Sequence, residues 1–136
     1  MLFLELWEKS MQLVDANIVL RFILNDNEIL TKKAIDIIGQ NSLFCPFEVV
    51  AEIVYVLEKV YEIPRSEIEK SLITFFNCQN VSTNDIKILE QALALYSEKN
   101  IDFIDSLLCA HSIINEDIIH SFDKKINMII KKQNRR

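Results

Sequence analysis

At 136 residues, half of them apolar, the chain is long enough to bury one core and too short for two domains of ordinary size. Its single glycine excludes the glycine-rich turns by which dinucleotide and nucleoside-triphosphate folds approach phosphate. Cys45, Cys78 and Cys109, with no Cys-x-x-Cys pair and no histidine at zinc-finger distance, point to a reduced cytoplasmic protein. The net charge of −5 is uneven: residues 1–123 set nine bases against 20 acids, −11, whereas 124–136 carry +6, which argues against a general nucleic-acid coat. Lys124, Lys125, Lys131, Lys132, Arg135 and Arg136 are still able to steer a phosphate backbone locally.

Residues 1–10 carry Glu5 and Glu8, no basic leader and an apolar stretch too short for a signal peptide or a membrane span. With Met11 directly before the first strand, they are expected to be an N-terminal extension or a mis-called start, and no membrane contact is expected. An apolar run predicts a strand over 12–15, a turn at 15–17 and a helix over 18–24. Leu30, Ala34, Ile37 and Ile38 recur at helical spacing across 28–38, and Gly39 stands where a helix C-cap belongs. A short buried strand follows over 42–45. Beyond Pro46 a helix is predicted to about residue 61, with Val49, Ile53, Val56 and Val60 as its core stripe, and Pro64 ends the connection. Ser66-x-x-Glu69 and Ser82-x-x-Asp85 have the form of capping boxes. They open helices carrying Phe75 and Phe76, then Leu89, Leu93 and Tyr96, with a short strand near Val81 between. A helix over 102–114, a strand of β-branched and aromatic residues over 118–122 and a closing helix over 124–132 complete the chain. Short apolar strands alternating with helices predict an α/β fold whose parallel sheet has helices on both faces.

Acids stand at informative places in this pattern. In open parallel sheets ligands bind beyond the carboxyl ends of the strands, and Asp15 and Asp123 each directly follow a predicted strand. Either is equally suited to capping the next helix. Helical geometry puts Glu52 beside Val49, Ile53 and Val56 on the predicted core stripe, where a carboxylate needs a basic or metal partner unless it reaches solvent at the stripe's edge. Asp102 and Asp105 lie one turn apart at a helix start, in a spacing that fits a capping box as well as a shared site. Carboxylates converging from separate segments repel by about 4 kcal/mol per close pair at an effective dielectric near 20, and oxygen-only ligands suit magnesium or manganese. His111 has no Gly-x-Ser-x-Gly elbow to serve, and Cys109 lies in an apolar helix, so both read as packing or surface residues.

Four blocks in order, LVDANIVLRFIL, EVVAEIVYVLEKVY, DFIDSLLCAHS and SFDKKI, resemble the acidic motifs of the PIN domains, in particular VapC-like toxins of toxin–antitoxin pairs. The resemblance covers residues 11 to about 130. It implies a PIN-like three-layer α/β fold, with a short parallel sheet of four or five strands, over 11–132, leaving 133–136 as a basic tail. It also implies a Mg2+- or Mn2+-dependent ribonuclease. Carried over by position, the catalytic metal-site acids are Asp15, Glu52, Asp105 and Asp123, with Asn17 and Ser121 as polar supports and Asp102 as a further acid beside the cluster. Asp15 and Asp123 would anchor the principal metal, while Glu52 and Asp105 complete its shell, hold a second ion or orient the nucleophile. The partners implied are structured RNA such as tRNA, an antitoxin protein and a second copy of the chain. The alternative is a non-catalytic PIN-fold module that binds RNA or protein. The chain departs from the family pattern in having Asn115-Glu116-Asp117 where a glycine often precedes the fourth strand, and in residues 1–10.

Overall fold

The structure, a computed structural model, describes residues 11–134. The leading segment 1–10 and the last two residues, with the extension and the end of the basic tail assigned to them, lie outside the described residues. The chain forms two compact units: one holds the described residues up to Ile53 together with Phe75–Asn84, the other Val54–Thr74 and the chain from Asp85 onward.

The first unit contains the sheet. Strands β1 (Gln12–Leu13), β2 (Leu43–Phe44) and β3 (Val81–Ser82) are parallel, in the order β1-β2-β3. The register sets Gln12 against Leu43 and Leu43 against Val81. Single bonds extend each ladder, Val14 N to Phe44 O at 3.2 Å and Cys45 N to Ser82 O at 2.8 Å. A parallel pair requires a crossover, supplied between β1 and β2 by α1 (Ala16–Leu24) and α2 (Glu28–Gln40). Val14, Val19, Leu20, Ala34, Ile38, Cys45 and Phe75 are buried in this unit.

The predicted stop at Gly39 is corrected, because α2 runs through Gly39 to Gln40 and no glycine has positive φ. Side-chain amides take over the work of a left-handed cap: Asn41 donates to Ile37 O at 2.8 Å, and Asn80 donates to Ile38 O and Asn41 O. The left-handed positions fall instead at Asn25, Glu62 and Glu116.

Helix α3 (Phe47–Tyr55) continues into a π-helical turn, Val56–Val60, closed by Tyr61 N to Val56 O at 3.2 Å. Its buried positions are Val50, Ile53, Val54 and Leu57, so of the predicted stripe Ile53 is buried while Val49, Val56 and Val60 are not. The i→i+5 turn widens the helix by a residue and leaves Val60 exposed.

The second unit is helical, with α4 (Arg65–Phe76) as far as Thr74, α5 (Ile86–Glu98), α6 (Phe103–Asn115) and α7 (Lys124–Asn134) contributing. Helix α4 starts directly after Pro64, whose carbonyl accepts from Glu67 N and Ile68 N, so Ser66 lies inside the first turn rather than at the cap. Asp85 is the N-cap of α5, accepting from Lys87 N at 3.0 Å and Ile88 N at 3.2 Å, while Ser82 remains in β3. Helix α5 packs chiefly on α6, and Ile126 of α7 is buried against Leu95, Ile101 and Cys109.

Residues 118–122 do not form the expected fourth strand, so the described residues hold three strands rather than four or five. Glu116 ends α6 in the left-handed region, its N–H donating to His111 O and Ser112 O. Beyond it the chain is irregular, with Ile118 and Phe122 exposed and Ile119 packed on the core around Ile126. The β-branched character of the segment thus reflects helix packing at Ile119 and not strand pairing.

Candidate active site

In the first unit the strand-to-helix turn presents Asp15 at the N-cap of α1, where its Oδ1 accepts from Ala16 N at 2.8 Å. Asn17 follows in the first turn, and both residues are exposed. Glu52 is exposed on α3, which corrects its expected place on the core stripe. The stripe advances through Val50, Ile53 and Val54, so position 52 points away from it and its charge stays in water.

In the second unit Asp102, Asp105 and Asp123 line one cleft of about 450 Å³ with Arg65, Lys124 and Lys125. Asp102 is the N-cap of α6, but its side chain makes no capping bond, so the capping-box reading of Asp102 and Asp105 does not hold. Asp105, one turn on, is half-buried. Burial, and then the charges of Asp102 and Asp123, hold its carboxyl above the ordinary carboxylate range. Asp123 caps α7, its Oδ1 accepting from Lys125 N at 2.8 Å and Ile126 N at 3.1 Å. Ser121 fixes the approach to that cap: its hydroxyl accepts from Asp123 N at 3.0 Å and its carbonyl from the Asn127 side chain at 2.8 Å.

Of the cations of this cleft, the sequence pattern marks Lys124 and Lys125 for a phosphate backbone but not Arg65. Lys125 Nζ donates to Asn100 O at 3.0 Å, and Arg65 Nη1 donates to Ile101 O at 2.5 Å. Arg65 follows a helix-opening proline, a position that carries no chemical signal of its own.

Among the described residues no three His, Cys, Asp or Glu side chains are gathered closely enough to hold a metal ion. The donor chemistry of the cleft nevertheless suits a hard divalent cation, since its acids offer oxygen alone. The remaining reactive groups do not compete. Burial pushes the Cys45 thiol up to about 12, and burial, with Asp105 and Asp123, pushes Cys109 up to about 11. His111 Nδ1 lies 3.4 Å from Asp117.

The family model of the PIN domain matches residues 13–132, and the chain belongs to the PIN-domain family. No curated protein and no solved structure matches it. PIN domains are generally nucleases that act on RNA and typically depend on divalent metal ions. The mixed α/β architecture with a parallel sheet is consistent with that family. No helix among the described residues is long and apolar enough to cross a membrane.

Proposed function

We propose that the chain is a Mg2+- or Mn2+-dependent endoribonuclease, the VapC-like toxin of a toxin–antitoxin pair, with Asp15, Glu52, Asp105 and Asp123 as its metal-binding acids. The reading makes it a cytoplasmic homodimer that cuts structured RNA such as tRNA and is silenced by an antitoxin over its acidic pocket. Its PIN domain spans 11–132, with 1–10 an extension and 133–136 a basic tail. The observation that carries the reading is the sharing of one cleft by Asp102, Asp105 and Asp123, with Asp105 raised by burial and then by the charges of the other two.

A bound divalent ion supplies water activation and charge neutralisation at the phosphate. Within the cleft Asp105 and Asp123 offer oxygen ligands, Asp102 adds negative potential, and Lys124 and Lys125 favour approach of a phosphate backbone. Asn17 and Ser121 serve as polar supports beside Asp15 and Asp123 in sequence, and Ser121 does so by fixing the turn before Asp123.

The test is cleavage of total cellular RNA with added Mn2+ by the wild type and by Asp15→Asn. The variant is expected to lose cleavage with an unchanged circular dichroism spectrum, because asparagine caps a helix as well as aspartate but lacks the charge. Cleavage by Asp15→Asn at the wild-type rate removes Asp15 from the site. A wild type that binds RNA and never cuts it is the non-catalytic module instead.

A further inference from the structure

We propose that Arg65 is a positioning residue that holds the acidic wall formed by Asp102 and Asp105 in place for the cation, an inference that rests on the metal-dependent reading above. Arg65 opens α4, and its guanidinium does three things at once. Its Cζ lies 4.3 Å from the centroid of the Tyr96 ring. Its Nε is 3.4 Å from Glu58 Oε1, an oxygen that also accepts from the Tyr96 hydroxyl. Its Nη1 reaches Tyr96 O at 3.1 Å, Lys99 O at 3.4 Å and Ile101 O at 2.5 Å.

Those carbonyls belong to the end of α5 and to the link that joins it to α6. The last carbonyls of a helix have no partner within the helix, and a cation there satisfies both their lone pairs and the negative end of the dipole. From the other side Lys125 binds Asn100 O at 3.0 Å. The link over 99–102 is therefore gripped by one cation from α4 and one from α7. It ends in Asp102, whose side chain makes no capping bond, and Asp105 follows one turn later.

Glu58 keeps Arg65 aimed. Burial alone raises its carboxyl, but the hydrogen bonds from Tyr96 and Lys59 and the charges of Arg65 and Lys59 outweigh that and hold it below the ordinary value. A planar guanidinium stacks, pairs and donates to several carbonyls in one placement, which a lysine ammonium does not reproduce. Without Arg65 the link over 99–102 regains freedom that cation binding must then remove, although no metal-binding acid has been lost.

The experiment compares wild type, Arg65→Ala and Arg65→Lys as full chains. It reads amide exchange over 99–105 in metal-free protein, Mn2+ binding by calorimetry and RNA cleavage against Mn2+ concentration. Arg65→Ala is expected to exchange faster over 99–105 with the exchange of α2 unchanged, to bind Mn2+ about 10- to 100-fold more weakly and to regain its turnover at high Mn2+. Arg65→Lys should fall between, and it carries the same readouts if the alanine variant does not fold. Unchanged exchange over 99–105 overturns the proposal, as does faster exchange with wild-type Mn2+ affinity. A KM for RNA that rises while the Mn2+ midpoint stays fixed also overturns it and makes Arg65 a substrate contact. If the wild type neither binds Mn2+ nor cuts RNA, the endoribonuclease reading fails, and the exchange over 99–105 alone decides whether Arg65 positions the link.

Discussion

Asp105 carries a proton more readily in the folded chain than in the unfolded one, because burial and the charges of Asp102 and Asp123 raise its folded value. Between the ordinary carboxylate value and that raised value the native state binds more protons, so metal-free stability falls as pH rises through this window and returns on acidification. Urea midpoints measured across the window are expected to show that slope, and Asp105→Asn is expected to flatten it. Asp123 makes a different prediction because its Oδ1 also caps α7. Asp123→Asn preserves the cap and should leave stability nearly unchanged while RNA cleavage is lost, whereas Asp123→Ala should cost about 1 kcal/mol in addition. Equal destabilisation by both variants, with cleavage intact, would reduce Asp123 to its structural role.

Helix α7 brings Asp123 to the cleft, and what anchors it is Ile126, almost fully buried against Leu95, Ile101 and Cys109. Ile126→Ala is expected to destabilise the protein by about 2–5 kcal/mol in urea unfolding, far more than any change at the exposed Asp123. The elements the sequence made legible were those whose signals are local. The apolar run before Asp15 and the helical periods of α5 and α6 report on their own segments, whereas the cap of α5 is Asp85 and not the Ser82 that the capping-box spacing offered. Three features were not legible because their causes lie elsewhere in the chain. The end of α2 is set by the amide of Asn80, distant in sequence from Gly39. The π-helical turn displaces Val60 from a stripe that a regular helix would have kept. Residues 118–122 have strand composition, but burial of Ile119 on a helical core satisfies the same composition without a ladder.

At the scale of the molecule, family and acid types were readable because four motifs keep their order over 11 to about 130, matching the extent of the PIN domain at 13–132. The grouping of Asp102, Asp105 and Asp123 around one cleft followed the motifs in part, since Asp102 holds the cap position of α6 but its side chain makes no capping bond. The grip of Arg65 on the link before Asp102 is not legible because the groups it holds there are backbone carbonyls more than 30 positions away, and carbonyls leave no trace in a sequence. The irregular stretch 118–122 has a further consequence, for how long the molecule stays whole. Proteases bind extended, outward-facing chain, and this stretch ends in a fully exposed Phe122 followed directly by Asp123. A protease that cuts after aromatic residues should therefore nick the folded protein first at Phe122. It would leave Asp123 as the leading residue of a short helical fragment, so that loss of RNA cleavage tracks this single early cut on a gel, before any scission within α5 or α6.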